Sequence, residues 1–190
     1  AQVDARNKGG ATPLMIAVGK SQLEAAKTLI AGSANVDTTD HWGRTALVIA
    51  AMLGLKPEAE MLSDNGAMPE IQDVEGFTPL LHAASRGQHE LVDFFLARGS
   101  NASHINKVGS SALHLAASAG DARSVRLIIQ SKGNINRATL KGDTALMLAV
   151  MNGRVDAVRV LLEFGTDVSA TNGRGESAIT LAASYQHPEI

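Results

Sequence analysis

The same short pattern returns along this chain every 33 residues, and that period constrains the fold more than any other feature of the sequence. A hydroxyl residue sets the phase at Thr12, Thr45, Thr78, Ser111, Thr144 and Ser177, and glycine stands two places earlier at Gly10, Gly43, Gly76, Gly109, Gly142 and Gly175. Two places after the hydroxyl come Leu14, Leu47, Leu80, Leu113, Leu146 and Ile179, and five places after it Ala17, Ala50, Ala83, Ala116, Ala149 and Ala182. A fixed period between about 20 and 50 residues marks a stacked repeat, in which each unit buries its apolar face only against its neighbours.

The composition fits such a stack. Of the 190 residues 45% are hydrophobic but only 3% aromatic, so the core is aliphatic and alanine-rich and its helices pack closely. With 17 Lys+Arg against 19 Asp+Glu the formal charge is -2, which provides no field for gripping a phosphate backbone or an anionic bilayer. Nucleic acid and membrane insertion are therefore not expected, and no apolar stretch approaches the roughly 18 residues that span a bilayer. The absence of cysteine removes disulfides, thiolate catalysis and cysteine-based zinc sites together. An intracellular location, cytoplasmic or nuclear, is the expectation. Because the chain begins at Ala1 without methionine, a removed targeting peptide or an upstream segment stays open, and organelle import with it.

The third copy shows the local physics. In Gly76-Phe77-Thr78-Pro79-Leu80 the glycine suits a tight turn, and threonine before proline is a helix N-cap with proline at the first helical position. Gly87 ends that helix, and a second one carries Leu91, Val92, Phe94, Phe95 and Leu96 and stops at Gly99. Gly10-Ala11-Thr12-Pro13-Leu14, Ser111-Ala112-Leu113-His114-Leu115-Ala116-Ala117 and Val158-Arg159-Val160-Leu161-Leu162-Glu163-Phe164-Gly165 repeat the theme. The pattern resembles the ankyrin repeat across essentially the whole chain. The resemblance implies an all-α repeat solenoid of stacked helix-turn-helix units with β-hairpin loops. It predicts helix pairs near 12–18 and 22–31, 45–51 and 57–63, 78–85 and 88–97, 111–118 and 121–130, and 144–151 and 154–163.

The chain reads as a single array over 1–190, with repeats near 8–40, 41–73, 74–106, 107–139 and 140–172 and a partial one at 173–190. Gln2-Val3-Asp4 looks like the tail of an earlier unit, and His187-Pro188-Glu189-Ile190 like the opening of a further second helix, so a segment of a larger protein is expected. Two copies depart from the pattern. In the second, Ala67-Met68-Pro69-Glu70 replaces the usual loop and Ser63 stands where Ile30, Leu96, Ile129 and Leu162 stand elsewhere, which predicts the weakest repeat. In the fourth, Lys132-Gly133 places the terminating glycine one residue late, which predicts a shifted helix end.

Catalytic chemistry finds little support. His114 occupies the histidine position of the Thr-Pro-Leu-His motif, where the resemblance implies a structural imidazole. His89 and His187 lie at helix starts, His82 faces the core, and His41 and His104 lie in loops. Neither a His-x-x-x-His pair nor a nucleophile elbow accompanies them, so no metal, cofactor, catalytic residue or small-molecule substrate is expected. Gly173-Arg174-Gly175 reads as a hairpin turn rather than a dinucleotide loop. Asn101-Ala102-Ser103 reads as an ordinary loop despite its glycosylation pattern, and Asn136 matches a loop asparagine that the family can carry hydroxylated.

In arrays of this kind recognition uses the loop tips and the inner, concave face of the first helices. Those columns place His41, Trp42, Arg44, Met52 and Leu53 beside Val74, Glu75, Phe77 and Arg86, and the set contains the only tryptophan. Elsewhere the same columns hold Lys8, Lys20, Lys107, Val108, Leu140, Lys141, Asp143, Met151, Asn152, Arg174, Glu176 and Tyr185; several are basic, which suggests an extended partner with an apolar anchor and acidic flanks. The expected function is a non-enzymatic scaffold or adaptor binding a partner protein. Two alternatives are a substrate-recruiting or regulatory domain of a larger enzyme or channel, and a structural subunit of a large assembly.

Overall fold

The computed structural model describes residues 2–185, so His187 and the final helix opening lie outside the described residues. Among them run α1 (Pro13–Gly19), α2 (Leu23–Ala31), α3 (Ala46–Leu53), α4 (Lys56–Asp64), α5 (Pro79–Ser85), α6 (His89–Ala97), α7 (Ala112–Ala119), α8 (Ala122–Gln130), α9 (Ala145–Met151), α10 (Val155–Glu163) and α11 (Ala178–Ser184). The five expected helix pairs are all present, with ends within about two residues of the pattern's reading. The fold class is the all-α stacked repeat expected from the period.

Each first helix starts where the hydroxyl column places it. The side chains of Thr12, Thr45, Thr144 and Ser177 accept from the backbone N–H three residues on, satisfying one of the orphan donors of the first turn. Ser111 differs because its hydroxyl is shared with His114 Nδ1, 2.9 Å away. The alanine column fulfils the close-packing expectation: Ala50, Ala83, Ala116 and Ala149 are completely buried.

The chain divides into two compact units, one ending at His82 and the other beginning at Ala83. In the first, α1 packs on α2 and α3, and α4 packs on α3 and α2 around Leu14, Leu47 and Leu62. In the second, α7 packs on α8 and α9, α10 on α8 and α9, α6 on α8, and α11 on α9, around Phe95, Leu113, Ile128, Met147 and Leu161. At roughly 25 cal/mol per Å² of apolar surface, burying each such leucine contributes about 2 kcal/mol before chain entropy opposes it.

One expectation is corrected. α8 ends at Gln130, in register with Ala31, Asp64, Ala97 and Glu163 on the other second helices, so the fourth repeat's helix end does not shift. The left-handed position that follows is taken by Lys132 itself, at φ +65°, where Gly66, Gly99 and Gly165 serve elsewhere. Gly133 follows this turn instead of forming it. A β-carbon there would lie 2.7 Å from both the Ile128 carbonyl oxygen and its Cγ2.

Candidate interaction site

The loop that precedes each first helix is a tight hairpin built identically six times. Its first residue is Asn7, Asp40, Asp73, Asn106, Thr139 or Asn172, a column with the same period as the hydroxyls. In each, that residue's N–H donates to the carbonyl four places on, and its own carbonyl accepts from the hairpin glycine. The side-chain oxygen then accepts from the N–H groups two and four residues later. For Asp40 Oδ1 these are Trp42 and Arg44, both at 2.9 Å. For Asp73 Oδ1 they are Glu75 and Phe77, again at 2.9 Å. Short polar side chains favour such turns because they replace a backbone acceptor locally. The hairpin glycines have φ between +74° and +83°, a region closed to most other residues. Three isolated bridges, Ile105 with Ser111, Ala138 with Thr144 and Thr171 with Ser177, are the only β pairing among the described residues.

Successive tips are tied to one another by single backbone hydrogen bonds. His41 N–H donates to Gly9 O at 3.2 Å and Val74 N–H to Trp42 O at 2.9 Å in the first unit. In the second unit Leu140 N–H donates to Val108 O at 3.2 Å and Gly173 N–H to Lys141 O at 2.9 Å.

This framework gathers part of the expected interaction surface in the first unit. Trp42 is 52% exposed, with an indole edge 3.4 Å from where a Gly9 β-carbon would stand. The Arg44 guanidinium lies 4.6 Å from the indole centroid, within cation–π range. That guanidinium is also held by Asp40 Oδ2, through Nε at 2.8 Å and a terminal nitrogen at 2.7 Å, and the Asp40 side chain is fully buried. His41 is exposed and its ring covers Gly10, where a β-carbon would approach His41 Cδ2 to 2.6 Å. Val74 is 44% exposed beside the Trp42 backbone, and Glu75 follows it, exposed, at the next position.

The remaining residues of that surface stand apart from the tips. Met52, half-buried, and Leu53, exposed, end α3, about 10 Å along the axis from its first residue at 1.5 Å per residue. Phe77 is half-buried, its ring centroid 4.9 Å from that of His82. Arg86 belongs to the second unit, exposed just after α5.

The histidines divide by environment. His114 is completely buried; its Nδ1 accepts from the Ser111 N–H at 3.2 Å, leaving Nε2–H to donate to the Arg137 carbonyl at 2.9 Å. Burial is the largest cause of its lowered pKa, and the hydrogen bond to the Arg137 carbonyl partly opposes it. It is therefore a neutral imidazole tying the start of α7 to the loop that leads into the next hairpin. His82 Nε2 lies 2.8 Å from Asp73 Oδ2, using the carboxylate oxygen that the turn leaves over. Among the described residues no group of three or more His, Asp or Glu side chains is placed to hold a metal ion. No helix among them is long and apolar enough to cross a membrane.

Two polar features escaped the sequence reading. The turn-forming column from Asn7 to Asn172 mixes three residue types, so it carries no identity signal. Ser21 occupies the turn position that glycine holds at Gly54, Gly87, Gly120 and Gly153, at φ +53°, and its hydroxyl donates to the buried Glu58 Oε1 at 2.7 Å. Both depart from their columns, and the two departures compensate each other.

A family model described as ankyrin repeats in three copies matches residues 1–73, 58–139, 80–172 and 123–190, which together take in the whole chain. No curated protein matches it.

Proposed function

The chain belongs to the ankyrin repeat family, whose repeats serve in general as protein–protein interaction modules, and we propose that it is a non-enzymatic adaptor that captures a partner protein through the tips of its second and third hairpins. The observation that carries this reading is Trp42: a large aromatic side chain, 52% exposed, on a backbone fixed by the buried Asp40 carboxylate. Interface centres are enriched in tryptophan and arginine, and here the two are stacked on one tip. The tip is also ordered before any partner arrives, so little entropy is lost on binding. Val74 extends the apolar surface, and His41 and Glu75 provide a polar rim. Met52 and Leu53 form a second point of contact for a partner that continues along the inner helix.

The test is capture of cellular proteins on the immobilised chain, compared with Trp42→Ala combined with Val74→Ala. Specific partners are lost from the double variant while its unfolding midpoint stays within about 0.5 kcal/mol of wild type, as expected of exposed positions. An identical set of partners on wild type and variant contradicts the assignment.

A further inference from the structure

We propose that the tips of the fourth and fifth hairpins, in the second unit, form a separate docking surface for an acidic peptide segment carrying one apolar anchor residue. Leu140 is 77% exposed, the most exposed large apolar side chain among the described residues, and Val108 is 59% exposed. The two stand in the same relation as Trp42 and Val74, since in each pair the second residue's N–H donates to the first residue's carbonyl. Each unit thus carries one apolar pair at backbone-bonded tips, and no core contact explains either.

The geometry gives this pair a socket. A β-carbon on Gly109 would fall 3.2 Å from Leu140 Cγ and 2.7 Å from Leu140 N, so the bare glycine lets the leucine lie against the neighbouring tip. Val108, Leu140 and Leu148 wall a depression of about 440 Å³, with Thr139 and Asp143 at its polar side. That volume lies within the roughly 300–1,000 Å³ range of ligand pockets and admits a large side chain.

Electrostatics select the partner. Lys107 and Lys141, next to Val108 and Leu140 in sequence, are both exposed. The acids nearby are already engaged: Asp143 is buried and accepts from Asn172 Nδ2 at 2.9 Å, while Glu176 accepts from Arg174 Nε at 2.8 Å and Asn172 Nδ2 at 3.0 Å. The charge presented outward around the apolar pair is cationic, and complementary charge steers and orients a partner. The first unit differs, because Arg44 is held by Asp40 and the charge beside Val74 is that of the exposed Glu75. The two apolar pairs therefore suit different ligands.

The experiment selects a displayed library of random 16-residue peptides on the intact protein and then measures the enriched peptides on Leu140→Ser, on Lys107→Glu with Lys141→Glu, and on Trp42→Ala. All these positions are surface sites, and unchanged unfolding midpoints confirm that the variants are folded. The expected result is enrichment of an apolar residue flanked by Asp or Glu, binding at least tenfold weaker on the first two variants, unchanged on Trp42→Ala and weakened by salt. Enrichment without acidic peptides overturns the proposal, as does retention of binding by both second-unit variants. Loss on Trp42→Ala alone also overturns it, while leaving the first-unit reading intact. Binding of phosphatidylglycerol vesicles lost in the same two variants, with no peptide enriched, overturns it in favour of a membrane surface.

Discussion

Replacing Asp40 tests whether a buried side chain holds the presented tryptophan. Asp40→Ala removes the acceptor of the Trp42 and Arg44 N–H groups and the carboxylate that holds the Arg44 guanidinium. Two lost backbone bonds cost about 1–3 kcal/mol at 0.5–1.5 kcal/mol each. The Arg44 pair adds about 1 kcal/mol, kept modest because the arginine side chain is 30% exposed. The total is about 2–4 kcal/mol. Asp40→Asn keeps an acceptor where Oδ1 stands, so both backbone bonds survive, but puts an amide NH2 donor where Oδ2 accepts from Arg44, so it loses the Arg44 pair at a cost of about 1 kcal/mol. The chain itself supports this, since Asn7, Asn106 and Asn172 perform the same turn with amides. Urea unfolding followed by helix circular dichroism measures both values, and the fluorescence of the only tryptophan reports the hairpin directly. Equal midpoints for Asp40→Ala and wild type, or an asparagine variant as damaged as the alanine variant, contradict a hairpin held by the Asp40 side chain.

Three further perturbations probe the stack. Ala50→Leu forces three extra carbons into a fully buried site on α3 and costs about 1–3 kcal/mol, read as a lower unfolding midpoint. Lys132→Gly relieves a left-handed backbone at φ +65° and raises stability by about 0.5–1 kcal/mol, the strain relief being partly offset by glycine's entropy. His114 has a folded pKa below its ordinary 6.5, so the unfolded chain takes up its proton first and stability falls as pH drops below about 6.5. The slope from this group is at most about 1.4 kcal/mol per pH unit, and His114→Asn removes that part of the pH dependence in unfolding curves between pH 7 and 5.

The helices were legible because the signals that set their ends recur, the hydroxyl caps at every first helix and the turn glycines at most positions, with Ser21, Ser33 and Lys132 standing in for the rest. The fourth repeat departs from its pattern because residue identity does not report backbone conformation. Lys132 adopts the left-handed backbone unaided, and the sequence offered Gly133 as the more plausible breaker. The interaction surface was legible only as columns. Its presentation depends on which charges are paired: Arg44 and Lys141 are both tip cations in the sequence, in different columns, and only the structure shows Asp40 engaging the first. Phe77 belongs to the same tip columns, yet the neighbouring His82, tied to Asp73, gives its ring a partner within the unit. The Ser21–Glu58 pair spans 37 residues, beyond the reach of any local pattern.

Trp42 supplies the most direct test of partner capture, because it is the only tryptophan and stands half exposed at the centre of the proposed surface. Its emission and iodide quenching are followed while a captured, tryptophan-free partner fragment is added to saturation. Capture at this surface shifts the emission to shorter wavelength and lowers quenching severalfold as the indole leaves water. Saturating partner that leaves both unchanged contradicts it.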